Sequence, residues 1–388
     1  MTQHPSLVAK SLAPYGTSVF TRITELSNRF DAINLSQGFP DFDGPLQVRK
    51  SAAALIVRGP NQYAPSIGVE TLREAVARKT ERVRKISVCP DTEVTVTAGA
   101  SEGLAAALLG LVNPDEEVVL IDPSYDLYSP VVCRAGGRPV HVALNPDGSL
   151  SLDRLAAAFS KQTRAIVINN PQNPCGKVYT EEELAFIADL CQRFDAIAVG
   201  DEVYEHLVYD GLRHTTLLSV PGLRDRAAVV SSTAKTFSMT GWKVGYVIAA
   251  PAVTEAVRAA HQFLTYCTPG ALQTAMGEAI GQSDDYYSKL LSEYTRRRDR
   301  LSTALSDLGF EVLVPQGTYF LNVRIDTDRF ADDLDFCERM IKEAKVAAVP
   351  TSFFYKGRDG GRDTVRFCFC KRDDTLKEAE QRLRAWRF

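Results

Sequence analysis

The sequence predicts an α/β protein with a mostly parallel sheet between helices, joined to a smaller α+β unit. Three observations lead there. From about residue 92, short β-branched runs alternate with stretches of helical periodicity. That succession implies strands covered by helices on both faces. After about residue 284 the alternation gives way to one long charged helix and a few separated strands. At 388 residues the chain also exceeds what one hydrophobic core usually supports, so two domains of unequal size are expected.

In order, TEVTVTAG (92–99) is a strand followed by helix SEGLAAALLGLV (101–112), and EVVLIDP (117–123) is a strand followed by helix DLYSPVVCRAG (126–136). RAIVINNP (164–171) leads to helix TEEELAFIADLCQRF (180–194), whose Thr180 and Glu183 have the spacing of a capping box. Three further strands follow, AIAVGDEVY (196–204), AAVVSST (227–233) and KVGYVIAAP (243–251). The second unit has a helix over 284–309, strands EVLV, TYFLNVRI and TVRFCFC, and helices over 331–345 and 374–386. The expected division is a large domain over 46–284 and a small one made of 1–45 and 285–388. The run RRRDR (296–300) is expected to be a solvated helix face.

Composition excludes several classes. The chain is 45% hydrophobic and 24% charged, and its net charge of -3 offers no general attraction to nucleic acid or anionic lipid. The N-terminus lacks a basic stretch followed by an apolar one, and no apolar run approaches the roughly 18 residues of a membrane helix. A cytoplasmic protein is expected. The eight cysteines contain no CxxC, and Cys368 and Cys370, two apart on a predicted strand, have no histidine near them. They are expected to be reduced core residues. His4, His141, His206, His214 and His261 show no metal-binding spacing, so no metal is expected and each histidine reads as structural.

Ligands of open α/β sheets bind at the carboxyl ends of the strands. Four predicted strands end in polar motifs: TAGASEG, NNPQNPCG, GDEVYEH and SSTAK. GAxxG at Gly99 is not a dinucleotide fingerprint, and Gly176-Lys177 has Pro171 where a P-loop needs glycine. Gly99, Ala100 and Ser101 instead lie between a strand and a helix start, where free N–H groups and the helix dipole favour a phosphate. With Asp201, Tyr204, Asn173, Ser232 and Lys235 added, the set matches the needs of pyridoxal phosphate. That cofactor requires an amine for its aldehyde, a carboxylate for its ring nitrogen and donors for its ring oxygen.

The stretch SSTAKTFSMTGWKVG (231–245) resembles the cofactor-lysine signature of fold-type I pyridoxal-phosphate enzymes, specifically class I aminotransferases. INLSQGFPDF, NQYAPSIGVETLREAV, TAGASEGL, DPSYD, NNPQNPCGKV, GDEVYEHLVYDG, PQGTYF and VRFCFCK occur in the family's order over nearly the whole chain, closest to its kynurenine, glutamine and methionine aminotransferase branch. The resemblance implies that Lys235 holds the cofactor and moves the Cα proton, and that Asp201 pairs with the ring nitrogen. It implies that Asn173 and Tyr204 bond the ring oxygen and Tyr125 stacks on the ring. Gly99, Ala100, Ser101, Ser232 and Lys243 would hold the phosphate, with Tyr63 reaching it from the second subunit of a homodimer. Gly38, Asn173 and Arg366 would hold the substrate α-carboxylate. Two positions depart from the family: Lys243 stands where arginine is frequent, and Cys175 where serine or threonine is.

The implied reaction moves an amino group between an L-amino acid and a 2-oxo acid in two half-reactions. HQFLTYCTPG (261–270) contains no arginine for a distal carboxylate, whereas Tyr15, Phe20, Phe39, Tyr125, Phe263 and Tyr266 offer an aromatic pocket. A neutral, sulfur-containing or aromatic donor is therefore expected. The same lysine and aspartate would also serve a cysteine-conjugate β-lyase or a carbon-carbon-bond-forming enzyme, which stands as the alternative. A regulator that senses the cofactor is a more distant one.

Overall fold

A computed structural model describes residues 7–16 and 18–386, so His4 lies outside the described residues. Among these, the strands are β1 (Ile33–Asn34), β2 (Val94–Ala98), β3 (Glu117–Asp122), β4 (Arg138–Ala143), β5 (Thr163–Asn169), β6 (Ile197–Asp201), β7 (Ala227–Ser232), β8 (Val244–Ala249), β9 (Glu311–Leu313), β10 (Phe320–Arg324), β11 (Val346–Ala347), β12 (Val349–Pro350) and β13 (Thr364–Cys368). Seven form one sheet in the order β2-β8-β7-β6-β5-β3-β4. Only β8 runs against its neighbours, antiparallel to both β2 and β7.

Successive side chains of a strand face opposite ways, and here both faces are covered. In β3, Val119 and Ile121 enter one apolar core while Val118 and Leu120 enter another. The same split recurs in β5, with Ile166 and Ile168 on one side and Ala165 and Val167 on the other. Helices Glu70–Arg84 and Gly270–Ile280 contribute to the first core, and Gly99–Leu111 and Pro251–Leu264 to the second. The capping box forms as expected: Glu183 N–H donates to Thr180 Oγ1 at 3.1 Å, and Thr180 N–H donates to Glu183 Oε2 at 2.9 Å. Strand β4 was not expected. Its Pro139 weakens the strand signal, but β4 is an edge strand, where a missing N–H is tolerated.

A second sheet, β12-β13-β10-β9, is antiparallel throughout, and β1 pairs in parallel with β11. Through β1 and helix Val19–Arg29, the start of the chain joins the C-terminal elements. Ile23 and Leu35 share a core with Phe336, Ile341, Phe367 and Leu383. Val203, Tyr204 and Leu207, which follow β6, belong to this core too, so it is continuous with the end of the large sheet.

The RRRDR run is a correction. Arg297 and Arg298 are only 9% and 5% exposed. Helix Asp284–Asp307 passes the loop that follows β6, and Arg298 donates to both carboxylate oxygens of Asp210 at 2.6 and 2.9 Å. Arg297 lies over the rings of Phe42 and Tyr294, while Arg300 makes a two-pronged pair with Glu380 at 2.6 and 3.1 Å. Arg298 can leave water because its donors are matched in this way, and Arg297 because aromatic rings cover it. Among the described residues, no helix is long and apolar enough to cross a membrane.

The capping box yields a stability prediction. Thr180→Ala should destabilise the cofactor-free protein by about 1 kcal/mol, read from the shift of its urea unfolding midpoint.

Candidate active site

The strand ends converge on one rim. β2 turns at Gly99 directly into helix Gly99–Leu111, whose first N–H groups have no acceptor within the helix. Gly99 has φ +72, a conformation that favours glycine, and a Cβ there would stand 3.2 Å from Lys243 Nζ. A Cβ on Gly245 would come within 2.6 Å of Gly99 C and 2.8 Å of Ala100 N. The two glycines thus let β8 and the β2 turn close on each other beside an ammonium. Because β8 is antiparallel, its first residues lie at the rim where its neighbours end. At the end of β7, Ser232 Oγ accepts from Ala234 N–H at 3.1 Å and starts the one-turn helix Thr233–Thr236 that carries Lys235.

Lys235 points into the junction of the two units. Its Nζ donates to Gly38 O at 3.4 Å and lies 5.8 Å from the Tyr204 ring and 5.7 Å from the Tyr319 ring. Burial lowers its pKa, against the opposing charges of Cys370 and Asp201. Asp201, at the end of β6, is 5% exposed and accepts from Tyr128 Oη at 2.7 Å and from Val203 N–H at 3.4 Å. Burial pushes this carboxyl up, and the Tyr128 hydroxyl pulls it back down. Burial likewise holds the Tyr204 hydroxyl well above its usual range, so it keeps its proton as a donor.

Arg366 lies on the other wall, on β13. It is 1% exposed; Nη1 donates to Asn173 Oδ1 at 2.5 Å and Nη2 to Ser36 O at 3.0 Å. Asn173 is itself held by its N–H to Asn169 Oδ1 at 2.6 Å. The guanidinium packs over Phe320 at 3.8 Å, with Phe354 at 5.0 Å and Phe20 at 5.4 Å, and its Nε has no protein partner. Gly38 must be glycine, because a Cβ would meet Phe320 Cζ at 2.5 Å. Its carbonyl also accepts from Tyr319 Oη at 2.5 Å.

Lys235, Asp201, Tyr204, Asn173, Gly38 and Arg366 therefore meet at one place, and Gly99, Ala100, Ser101, Ser232 and Lys243 line the adjoining rim. Tyr125 stands edge-on to Tyr128 at 5.8 Å. Tyr63 is apart: it is 86% exposed and packs edge-on to Tyr266 at 5.7 Å, beside an equally exposed Phe263. Of the expected aromatic pocket, Phe20 borders Arg366, while Tyr15 is bonded to Cys133 Sγ at 3.1 Å and Phe39 lies under Lys371 at 4.5 Å. Cys175 donates to Gln172 Oε1 at 2.7 Å within its turn. Sequence reasoning missed Tyr128, Tyr319 and Phe354. Tyr319 lies within PQGTYF and was within reach, whereas nothing local to Tyr128 or Phe354 announces a contact across the fold.

An amine, a buried carboxylate and a glycine-lined anion cradle on the rim of an α/β sheet are the features of a pyridoxal-phosphate-dependent transferase. The family model described as aminotransferase class I and II matches residues 31–383. A probable N-succinyldiaminopimelate aminotransferase of Mycobacterium tuberculosis is 42% identical, over 97% of this chain and 98% of that one. The methionine aminotransferase of Escherichia coli is 39% identical, over 99% of this chain and all of its relative (100%). The solved structure of N-succinyldiaminopimelate aminotransferase from M. tuberculosis superposes with a TM-score of 0.95 at 43% identity, covering 97% of this chain and 99% of that one. The chain belongs to the class I and II aminotransferases, and its cofactor is pyridoxal phosphate. The site fits that group. Gly99 and Gly245 let the start of β8 close on the first N–H groups of helix Gly99–Leu111 beside Lys243, and Arg366 Nε is a buried donor with no protein acceptor.

Tyr128→Phe tests the electrostatics. Without the donated hydroxyl, Asp201 should protonate at higher pH, so the acid limb of kcat/KM against pH should move up by about one unit. A limb that stays in place would mean that the hydroxyl does not tune Asp201.

Proposed function

We propose that Lys235, Asp201 and Tyr204 carry catalysis. In this reading Gly99, Ala100, Ser101, Tyr125, Asn173, Ser232 and Lys243 hold the cofactor, together with Tyr63 from a second copy of the chain. Gly38, Asn173 and Arg366 grip the substrate α-carboxylate. The carrying observation is the buried Arg366, with two nitrogens tied to Asn173 and Ser36 and Nε left over, across from Lys235. The division into 46–284 and 1–45 with 285–388 follows, because the grip spans both parts.

When bound, pyridoxal phosphate supplies an aldehyde for the amino group and a ring that accepts the electron pair left at Cα. Asp201 would set a carboxylate against the ring nitrogen and so hold a proton there, each pKa unit of that support being worth about 1.4 kcal/mol. Lys235, its pKa lowered by burial, offers Nζ as the base that takes the Cα proton. Tyr204 donates its retained hydroxyl proton. Arg366 presents a planar fork that fixes which bond at Cα faces Lys235.

The donor is proposed to be neutral, sulfur-containing or aromatic. Phe20, Phe320 and Phe354 surround the guanidinium, and the E. coli relative is named for methionine. A second reading, an N-succinylated diamino acid, rests on the name of the mycobacterial relative. A panel of donors resolves the two by kcat/KM. Amino transfer is preferred to elimination or carbon-carbon bond formation because these relatives are named as aminotransferases.

A homodimer is supported by large apolar side chains left in water, among them Val57, 88% exposed, and Tyr63 and Phe263, each 86% exposed. Light scattering on the holoenzyme should give twice the chain mass. The free cysteines suit a reducing compartment, the cytoplasm.

Lys235→Ala should abolish transfer and remove the visible band of the holoenzyme, whereas an unchanged band and rate would sink the assignment. Arg366→Lys should raise KM for the donor by roughly tenfold or more while kcat changes less, since a two-pronged bond is replaced by a point charge.

A further inference from the structure

One pair of side chains is not used by this chemistry. Cys368 ends β13, Cys370 follows two residues later, and their Sγ atoms are 2.9 Å apart. Both residues are 0% exposed, and both are unbridged. We propose that this pair is a redox modification site: a small peroxide oxidises it to a disulfide, and the bridge loosens the substrate grip at Arg366.

The position carries the argument. Arg366 precedes the pair by two residues, and Lys371 follows it directly. Cys368 N–H donates to Leu35 O at 2.8 Å and Phe369 N–H to Tyr319 O at 3.0 Å. Lys371 Nζ donates to Phe39 O at 2.8 Å. The Cys368 backbone and the Lys371 side chain thus hold the two ends of the segment Leu35–Phe39, which supplies Ser36 O to Arg366 and Gly38 O to Lys235 and Tyr319. An S–S bond is about 2.0 Å long, so closing it draws the sulfurs together by about 0.9 Å and moves a strand end that the grip hangs on.

The chemistry balances. Burial pushes the Cys368 thiol up, but the Cys370 thiol and then Lys371 bring it down to about 7, so a thiolate is accessible near neutrality. That thiolate attacks one peroxide oxygen, the O–O bond breaks, and hydroxide leaves a sulfenic acid on Cys368. Cys370 then attacks this sulfur, the S–O bond breaks and water leaves. In sum, two thiols are oxidised to one disulfide and one peroxide is reduced to two waters. Burial keeps out a bulky disulfide oxidant, which selects a reactant of peroxide size. Elsewhere burial raises Cys175 to about 11 and Cys191 to about 12, leaving them unreactive thiols.

The kinetic half of the proposal rests on the reading of Arg366 given above; the bridge itself does not. The test treats the holoenzyme, in a Cys89→Ser background that removes an exposed thiol, with hydrogen peroxide. Alkylation, peptide mass mapping and steady-state kinetics follow. The expected result is a 368–370 peptide lighter by two hydrogens and closed to alkylation. With it, donor KM should rise roughly tenfold, the loss expected when a hydrogen bond to a charged group loosens, and dithiothreitol should restore it. Cys370→Ala, and independently Cys368→Ala, should keep their KM under peroxide. Two alkylatable thiols after treatment, a sulfur oxidised without bridging, or a bridge with unchanged KM would each overturn the proposal. If instead the Arg366 reading fails, the reduced Arg366→Lys enzyme keeps its donor KM, which separates the two failures.

Discussion

A guanidinium taken out of water must have its donors matched, because a buried charge left without partners destabilises a fold by about 3 to 5 kcal/mol. Arg366 imposes that constraint on the whole site. It draws one acceptor from Asn173, just after β5 of the large sheet, and another from Ser36, near the start of the chain, so the two units are held around a shared cation. Asn173 is fixed by Asn169, and the flat face of the cation is covered by Phe320. Only two of the five N–H groups are matched by these acceptors. Nε is among those left without a protein acceptor, which is what the proposed role of Arg366 as a receptor for a carboxylate requires.

The same burial acts on Lys235 and Asp201, the pair proposed to carry catalysis, in opposite directions. It moves Asp201 up and Lys235 down, so each is pushed toward its neutral form. For Lys235 a neutral amine is the useful form, since only a free electron pair can take a proton. For Asp201 the charged form is the useful one, and the Tyr128 hydroxyl supports it. One environment therefore suits both groups only because hydrogen bonds, that of Tyr128 foremost, work against burial at Asp201.

Much of this was legible in the sequence because it is written locally. Alternating apolar runs place the strands, the Thr180 and Glu183 spacing places a cap, and the polar endings of β2, β5, β6 and β7 place the rim. What escaped depends on distant partners. Pro139 hides β4, because a proline that forbids a central strand is harmless on an edge. The direction of β8 is invisible to periodicity, which is the same for parallel and antiparallel strands. Arg297 and Arg298 read as solvated because nothing near them in sequence reveals Phe42 or Asp210. Tyr128 is separated from Asp201 by 73 positions, and no pattern rule spans that interval.

The reversed strand β8 has a further consequence, for chain entropy. β7 and β8 form an antiparallel pair joined by residues 233–243, so Lys235 and Lys243 reach the same rim through a short loop. The loop that Arg366 and Asn173 close is 193 residues long. Closure entropy grows only with the logarithm of loop length, yet the difference of more than an order of magnitude still separates the two by about 2.5 kcal/mol. Lys235 and Lys243 are thus brought together within one hairpin, whereas the contact of Arg366 with Asn173 exists only while distant parts of the chain stay docked.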